Sequence, residues 1–288
     1  MNAIDQTYQL IKKYDIHARK RFGQNFLIDE RVLDKIVDAA GVCEDDFVLE
    51  IGPGLGTLTR VLCERARHVL AVEIDYDLVD ILERELDYDN LTIIEGDILK
   101  KDIKEIADKY NDGRNIKVVA NLPYYITTPV IMGLLESRTP IESITVMIQK
   151  EVAERMMAKP GDKDCGAISL AVRYYATPYL AANVPPNCFK PRPKVASAVI
   201  RLTMLDKPYV EAEDERLMFK LIRAAFGERR KTLLNAIANS PELDFSKDMI
   251  RGAIEAAGLS PEVRGEKLDL ENFAKLSNIF SEHENKSL

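Results

Sequence analysis

Five short, strongly apolar runs alternate with amphipathic segments through the first half of this chain, and this alternation limits its fold more than any other feature. The runs are rich in Val, Ile and Leu and cover residues 47–51, 69–73, 91–95, 116–120 and 144–148. Residues 78–86, between the second and third runs, repeat apolar side chains every three or four positions, which predicts a helix with one buried face. Near-continuous apolar strands joined by helices are typical of a parallel sheet covered on both faces. We therefore predict an α/β fold with a mostly parallel sheet.

The character of the chain changes in its last third. Residues 168–174 and 196–203 are rich in β-forming residues and predict two added strands at an antiparallel edge. From about Pro208 onward, residues 217–226 and 249–257 have helical patterns, and Gly258 follows the second as a stop. We predict a sheet-containing catalytic domain over residues 1–206 and a small α-helical domain over residues 207–288.

The composition excludes several classes of protein. A formal net charge of -7 argues against a wholly basic nucleic-acid binder, although affinity for phosphate depends on local clusters of Lys and Arg. The four cysteines are far apart and form no CxxC pair, which argues against a zinc site or a disulfide framework. The amino-terminal segment lacks the apolar core of a signal peptide, and no run is long enough to span a membrane. We expect a soluble, cytoplasmic protein without a metal.

A glycine-rich motif, Gly52-Pro-Gly54-Leu-Gly56-Thr57, follows the first apolar run directly and precedes a helical segment. Glycines allow a sharp turn and a close approach to a ligand, and a helix amino terminus offers N–H groups to an anion. Thr57 stands where the dinucleotide motif GxGxxG needs its third glycine, and Pro53 removes one N–H. The loop therefore suits a ligand with one carboxylate and no diphosphate. The alternative is a tight turn that binds nothing.

Two acids stand at the ends of the next two strands. Glu73 follows Gly52 by 21 positions, where this type of fold places an acid against ribose hydroxyls. Asp97 ends the third run, where its carboxylate can accept a hydrogen bond from an adenine amino group. Taken singly, Glu73 has the alternative of a solvated acid and Asp97 that of a helix N-cap. Because ligands of open parallel sheets bind at the carboxyl ends of the strands, the three features together predict a nucleoside site.

The fourth strand is followed by Asn121-Leu122-Pro123-Tyr124, which resembles the (N/D)PPY signature of methyltransferases acting on adenine N6. The amino nitrogen of adenine is a poor nucleophile because its lone pair is delocalised into the ring. The side-chain oxygen of Asn121 and the backbone carbonyl of Leu122 can accept its two hydrogens and stabilise the positive charge that develops on it. Tyr124 offers a face to the base. The alternative is a plain Asn-x-Pro turn with packing tyrosines.

With these residues, the chain resembles the dimethyladenosine transferases of small-subunit ribosomal RNA, the KsgA/RsmA family. The resemblance runs from about residue 8 to about residue 280, and four further stretches carry it. They are Arg21-Phe-Gly-Gln-Asn25-Phe-Leu27, residues 149–156, Phe189-Lys190-Pro-Arg192-Pro-Lys194 and residues 226–233.

The resemblance implies a class I S-adenosylmethionine-dependent methyltransferase fold: a Rossmann-like, mostly parallel seven-stranded sheet with a small helical C-terminal domain that contacts rRNA. It implies dimethylation of two adjacent adenosines in a hairpin near the 3′ end of 16S rRNA, and therefore a role in small-subunit biogenesis. We expect a monomer that acts on the small ribosomal subunit or its precursor, uses no metal and releases S-adenosylhomocysteine. By the same resemblance, S-adenosylmethionine is bound by Asn25, Leu27, Gly52, Gly54, Glu73, Asp97 and Asn121.

The remaining expectations concern RNA. Local basic clusters on this acidic chain suggest phosphate contact, although each cluster alone is also compatible with a solvated face. The clusters are Arg19-Lys20-Arg21, residues 190–194 and Arg229-Arg230-Lys231, and the predicted RNA-binding residues are Arg21, Lys190, Arg192, Lys194, Arg229, Arg230 and Lys231. Phe189 is expected to cover the face of the flipped adenine opposite Tyr124, with core packing as its alternative.

Three other functions compete with this interpretation. The related family that methylates one adenine of large-subunit rRNA shares the glycine motif and the tetrad, but residues 149–151 and 226–233 favour the small-subunit branch. A non-catalytic RNA-binding factor on the same fold is disfavoured by the intact Gly52, Glu73, Asp97 and Asn121. A nicotinamide dehydrogenase is disfavoured by the absent third glycine and by the tetrad.

Overall fold

The structure is a computed structural model that describes residues 2–16, 19 and 22–287. Its strands are β1 Phe26–Leu27, β2 Phe47–Ile51, β3 His68–Glu73, β4 Leu91–Glu95, β5 Ile116–Asn121, β6 Ile141–Gln149, β7 Ala176–Val184, β8 Phe189–Lys190 and β9 Ser197–Met204. Its helices are α1 Ala3–Lys13, α2 Glu30–Ala40, α3 Thr57–Cys63, α4 Tyr76–Glu85, α5 Ile103–Asn111, α6 Thr127–Glu136, α7 Lys150–Met157, α8 Ala167–Tyr175, α9 Glu215–Gly227, α10 Leu233–Ala238, α11 Lys247–Ala256 and α12 Leu270–Ser287. Single-turn 3-10 helices lie at Ile98–Lys100, Pro186–Cys188 and Gly265–Lys267.

Seven strands form the main sheet in the order β4-β3-β2-β5-β6-β9-β7. Strands β2 to β6 pair in parallel, with Val48 opposite both Val69 and Lys117, whereas β9 runs antiparallel to β6. The predicted α/β class, the five parallel strands and the added strand at residues 196–203 are thereby confirmed. Strands β1 and β8 form a separate two-stranded antiparallel ribbon.

Burial explains the near-continuous apolar character of the central strands. All five positions of β2 are buried, and five of the six positions of β3 are buried, as expected for a sheet covered on both faces. Helix α4 confirms the predicted amphipathic segment, and it buries Leu78, Val79, Ile81 and Leu82. This packing of helices against the main sheet fixes the relative positions of the carboxyl ends of its strands.

The predicted strand at residues 168–174 is wrong, because these residues lie in α8. The Ser169 hydroxyl accepts a hydrogen bond from the Gly166 N–H at 2.9 Å at the start of this helix, and Leu170, Val172 and Tyr174 are buried. A short helix that is buried on several sides shows no clear period, so its composition resembles that of a strand. The strand that sequence analysis missed, β7, lies at the edge of the sheet, where Pro178 is tolerated.

The chain divides into two compact units, one of residues 1–153 and 178–204 and the other of residues 154–177 and 205–288. The second unit therefore contains a segment that the predicted boundary at residue 206 assigned to the sheet domain. Contacts within the unit explain this assignment: the Tyr174 ring meets Phe219 edge-on at 5.2 Å, and Tyr175 donates a hydrogen bond to Glu215 at 2.5 Å. Among the described residues, no helix is long and apolar enough to cross a membrane.

Candidate active site

A cavity of about 260 Å³ lies in the first unit at the carboxyl ends of β2, β3, β4 and β5. Its lining contains all the residues that sequence analysis assigned to the methyl donor or to the target base. These are Asn25, Leu27, Gly52, Gly54, Glu73, Asp97, Asn121, Leu122, Tyr124 and Phe189. Four separate strand ends and the segment before β2 thus converge on one space.

The glycine-rich loop forms one wall of this cavity. Gly52, Gly54 and Gly56 have φ values of 69°, 61° and 75°, a left-handed conformation that strains any residue with a Cβ. A Cβ added at Gly52 would meet no atom within 4 Å, so the space beside this backbone is open. A small anionic ligand group can therefore come close to the backbone of this loop.

Glu73, at the end of β3, braces the glycine loop from the next strand. Its carboxylate accepts hydrogen bonds from the N–H groups of Gly54 at 3.0 Å, Ile74 at 2.9 Å and Asp75 at 3.0 Å. Burial raises the pKa of Glu73, and these three bonds oppose that rise. A carboxylate offers about four acceptor positions, so Glu73 retains capacity for a ligand hydroxyl.

Asp97 is a helix N-cap, which was the alternative interpretation of this residue. Its Oδ1 accepts a hydrogen bond from the Leu99 N–H at 3.1 Å and so caps the 3-10 turn at Ile98–Lys100. Its Oδ2 lies 4.0 Å from Lys100 Nζ, and the residue also lines the cavity. Because one oxygen is sufficient for the cap, this role and the predicted adenine contact are compatible.

The side-chain amide of Asn121, at the end of β5, is oriented by the segment that directly precedes β1. Its Nδ2 donates to the backbone carbonyl of Asn25 at 3.3 Å, and Asn25 Nδ2 in turn donates to the carbonyl of Gly23 at 3.0 Å. The opposite amide orientation would bring two oxygens together, so the contact assigns the donor side of Asn121. Its Oδ1 is thereby left to accept a hydrogen bond from a ligand.

The residues after Asn121 are also held firmly. Leu122 is buried, and its N–H donates to the Met147 carbonyl at 3.1 Å. The Tyr124 hydroxyl shares a 2.7 Å hydrogen bond with the Ser197 hydroxyl on β9, which anchors the outer end of the ring. Burial raises the pKa of Tyr124, so its hydroxyl remains protonated at neutral pH.

Phe189 lies in the β1–β8 ribbon, opposite Leu27. It is 2% exposed and belongs to a buried cluster that includes Leu27, Ile36 and Val184, and it also lines the cavity. The structure thus shows the core packing that was the alternative for this residue, at a position that borders the site. A stacking role requires that the ring be uncovered when RNA binds.

The segment before β1 is anchored by contacts that sequence analysis missed. Arg19 donates to Asp75 at 2.8 Å and forms an ion pair with Asp77, and Gln24 donates to Asp75 at 2.9 Å. Arg19 belongs to one of the basic clusters, but these carboxylates engage its guanidinium. Arg21 lies outside the described residues.

The other predicted RNA contacts divide between the two units. Lys190, Arg192 and Lys194 are exposed in the first unit, where Lys190 Nζ lies 5.4 Å from the centre of the Tyr8 ring. Arg229, Arg230 and Lys231 are exposed at the turn after α9 in the second unit.

Within this second group, Arg229 differs from its neighbours. It donates to the Lys163 carbonyl at 2.7 Å and lies 3.8 Å from Glu266. Part of its bonding capacity is therefore used inside the protein.

Sequence analysis assigned no role to Glu50, although this acid also lines the cavity. Glu50 is 1% exposed, and burial raises its pKa to about 8. The sequence did contain a signal for Glu50: it is an acid inside an otherwise apolar strand, and acids are almost never fully buried without a partner.

Within the described ranges, the structure contains no group of three or more His, Cys, Asp or Glu side chains that could hold a metal ion.

Solved structures of two enzymes resemble this chain over most of its length. A dimethyladenosine transferase from Plasmodium falciparum is 29% identical, with a TM-score of 0.72, and the match covers 91% of this chain and 98% of that one. The 23S rRNA methyltransferase ErmE is 25% identical, with a TM-score of 0.64 and coverage of 89% and 100%. The fold is therefore that of the rRNA methyltransferase class.

The family follows from the sequence match. A model of ribosomal RNA adenine dimethylases matches residues 16–282, and the chain belongs to this family. A relative from Lachnoclostridium phytofermentans, named ribosomal RNA small subunit methyltransferase A, is 59% identical over 279 residues, which are 96% of each chain.

Proposed function

We propose that this chain is an S-adenosylmethionine-dependent rRNA adenine N6,N6-dimethyltransferase. Its substrate is a pair of adjacent adenosines in a hairpin near the 3′ end of 16S rRNA, in the small ribosomal subunit or its precursor. It acts as a cytoplasmic monomer in small-subunit biogenesis. The observation that carries the proposal is the Asn121 amide, which the Asn25 carbonyl orients beside the cavity formed by the strand-end acids and the glycine loop.

The cavity suits the donor. S-adenosylmethionine supplies a methyl group on a positively charged sulfur. Glu73 has acceptor capacity for ribose hydroxyls, and Asp97 has a second oxygen for the adenine amino group. The open backbone at Gly52, with Asn25 and Leu27 in the same cavity lining, accommodates the amino-acid portion.

The tetrad acts on the target adenine. Asn121 Oδ1 and the Leu122 carbonyl accept the two amino hydrogens and oppose the delocalisation of the nitrogen lone pair into the ring. The same acceptors stabilise the positive charge that develops on the nitrogen during transfer. Tyr124, fixed by Ser197, covers one face of the base, and the methylated nitrogen then loses a proton to water.

Contact with RNA involves both units. The first unit contributes Lys190, Arg192 and Lys194, which follow Phe189 in the sequence, and Arg21, which precedes Asn25 and Leu27 in the sequence, is a further contact. The second unit contributes Arg230, Lys231 and the more constrained Arg229, which supports an rRNA-contacting role for the helical domain.

The decisive experiment combines purified small subunits that lack the modification with radiolabelled S-adenosylmethionine, followed by mapping of the labelled nucleosides. We expect dimethyladenosine at two adjacent positions of 16S rRNA. Label only in large-subunit rRNA would contradict the proposed substrate.

The role of Asn121 is tested by the Asn121→Ala variant in single-turnover methylation at saturating donor and RNA. We expect a loss of at least about a hundred-fold, because its acceptor matters most when charge appears on the nitrogen. Asn115→Ala, a change to an exposed side chain that precedes the same strand, is the matched control. A near-normal rate for Asn121→Ala would exclude the catalytic role.

A further inference from the structure

Helix α1 carries one aromatic side chain, and it faces solvent. Tyr8 is 41% exposed, at the edge of a buried stripe formed by Ile4, Thr7 and Leu10. A single exposed tyrosine is common on protein surfaces and by itself indicates nothing. The groups that surround Tyr8 make it a candidate for a binding role.

Lys190 of the β1–β8 ribbon lies over the Tyr8 ring, with its Nζ 5.4 Å from the ring centre. The register of the ribbon explains this contact. Lys190 stands opposite Phe26, so the two side chains share one face of the ribbon. Phe26 belongs to an apolar cluster against which Ile11 and Tyr14 pack, at the end of α1. This face of the ribbon is therefore turned toward α1.

The same ribbon borders the candidate active site. Phe26 and Phe189 both line the cavity, and Phe189 is the chain neighbour of Lys190. A flipped adenosine stays joined to its neighbours through the RNA backbone, so the flanking nucleotides lie close to the walls of the cavity that it enters. The Tyr8–Lys190 pair is therefore within the region that flanking nucleotides occupy.

The charges around this ring suit a phosphate. Asp5 and Lys12 are exposed one turn before and one turn after the tyrosine, and their charges offset each other. Lys190 adds a positive charge and forms no ion pair with a carboxylate within the described ranges. Lys13, by contrast, is engaged by Glu85 at 2.6 Å. The ring thus has a cation beside it that is available to RNA.

An exposed aromatic ring beside an available cation suits single-stranded RNA. Every base can stack on a tyrosine, whatever the sequence, and a nearby phosphate attracts the cation. The long stem of Lys190 lets its ammonium group leave the ring for a phosphate while a base takes its place. A cation–π contact at an exposed site is weaker than base stacking, so this exchange favours the bound state.

We propose that Tyr8 and Lys190 bind a nucleotide that flanks the target adenosines. The base stacks on the Tyr8 ring, and the Lys190 ammonium contacts the phosphate. Helix α1 is thereby an RNA-binding element, a role that sequence analysis did not assign to it. The inference rests on the proposed function, because a flanking nucleotide presupposes that an adenosine enters the cavity.

Single-turnover methylation of small subunits that lack the modification tests the stacking role, at saturating S-adenosylmethionine and a series of subunit concentrations. Tyr8→Ala should raise the half-saturating subunit concentration by about ten- to a hundred-fold and leave the rate at saturation near normal, because the contact is the same before and during methyl transfer. Tyr8→Phe and Tyr8→Trp keep a ring and should retain most of the affinity. Tyr179→Ala, which removes a 61% exposed tyrosine from the edge strand β7, is the matched control.

Calorimetric titration with S-adenosylmethionine shows whether the variant has disturbed α1. The helix is tied to the glycine loop through a 2.6 Å hydrogen bond between the Thr7 and Thr57 hydroxyls, so a displaced α1 should weaken donor binding. We expect Tyr8→Ala to bind the donor as tightly as the wild type. A parallel loss of donor and RNA affinity would mean that Tyr8 only supports the fold, and it would overturn the inference.

A photoreactive p-benzoylphenylalanine in place of Tyr8 identifies the partner directly. Irradiation of its complex with the same small subunits should join this position to 16S rRNA within a few nucleotides of the methylated adenosines. Attachment to a ribosomal protein, to a distant part of the rRNA or to nothing would overturn the inference, as would an unchanged half-saturating concentration for Tyr8→Ala. Failure of the wild-type chain to methylate small subunits would instead contradict the proposed function.

Discussion

Replacing Glu73 tests whether its carboxylate holds the glycine loop in place. Glu73→Ala removes the acceptor of three backbone N–H bonds, one of which comes from Gly54. At about 0.5–1.5 kcal/mol of net stability for each bond, the loss is about 1.5–4.5 kcal/mol. The cost of desolvating the buried carboxylate offsets part of this, so we expect a value in the lower half of the range.

Glu73→Gln is the matched comparison. The amide keeps one acceptor oxygen but turns its NH2 group toward at least one backbone N–H donor. We therefore expect an intermediate loss of stability, about 1–2 kcal/mol, and a weaker affinity for S-adenosylmethionine in both variants, by about ten- to a hundred-fold.

Urea unfolding measures the loss of stability, and calorimetric titration of the folded variants measures the affinity for S-adenosylmethionine. An alanine variant as stable as the wild type would refute the bracing role. Unchanged donor affinity in both folded variants would refute the binding role separately.

Three further predictions concern other parts of the molecule. Phe189→Ala should lower the unfolding free energy by about 3–5 kcal/mol as well as the methylation rate, and a stable but inactive variant would show that stacking dominates. Replacing Arg230 and Lys231 by Ala should reduce the salt dependence of RNA binding by about one unit of slope per lost phosphate contact, whereas Arg229→Ala should also destabilise the second unit. Glu50→Gln should gain stability relative to the wild type as pH rises from 5 to 8, by up to about 1.4 kcal/mol per unit, because the folded wild type holds a proton that its unfolded form has released. Parallel stability curves would contradict that expectation.

The position of the candidate site was predictable because parallel strands end at a common edge. Gly52, Glu73, Asp97 and Asn121 each follow a recognisable apolar run, so their meeting in one cavity required only the strand order. The roles of the Asp97 and Phe189 side chains were harder to predict, since each side chain stabilises the fold and also lies beside the cavity.

Other features depend on contacts that periodicity does not encode. The carbonyl that orients Asn121 belongs to Asn25, 96 positions earlier, and it is a backbone group with no sequence signature. Helix α8 was mistaken for a strand because its β-forming residues are buried on several sides. Arg19 belongs to a basic cluster that suggested phosphate contact, but its guanidinium forms ion pairs with Asp75 and Asp77.

The position of β9 between β6 and β7 has a consequence for biosynthesis. Strand β7 leaves the ribosome before β9, yet its neighbour in the sheet is β9. The outer edge of β6 therefore remains unpaired until residues near 204 have emerged, and an unpaired edge invites association with other chains. Since Phe189 also belongs to this late segment, a nascent chain that ends before it has the glycine loop and both strand-end acids but an incomplete wall around them.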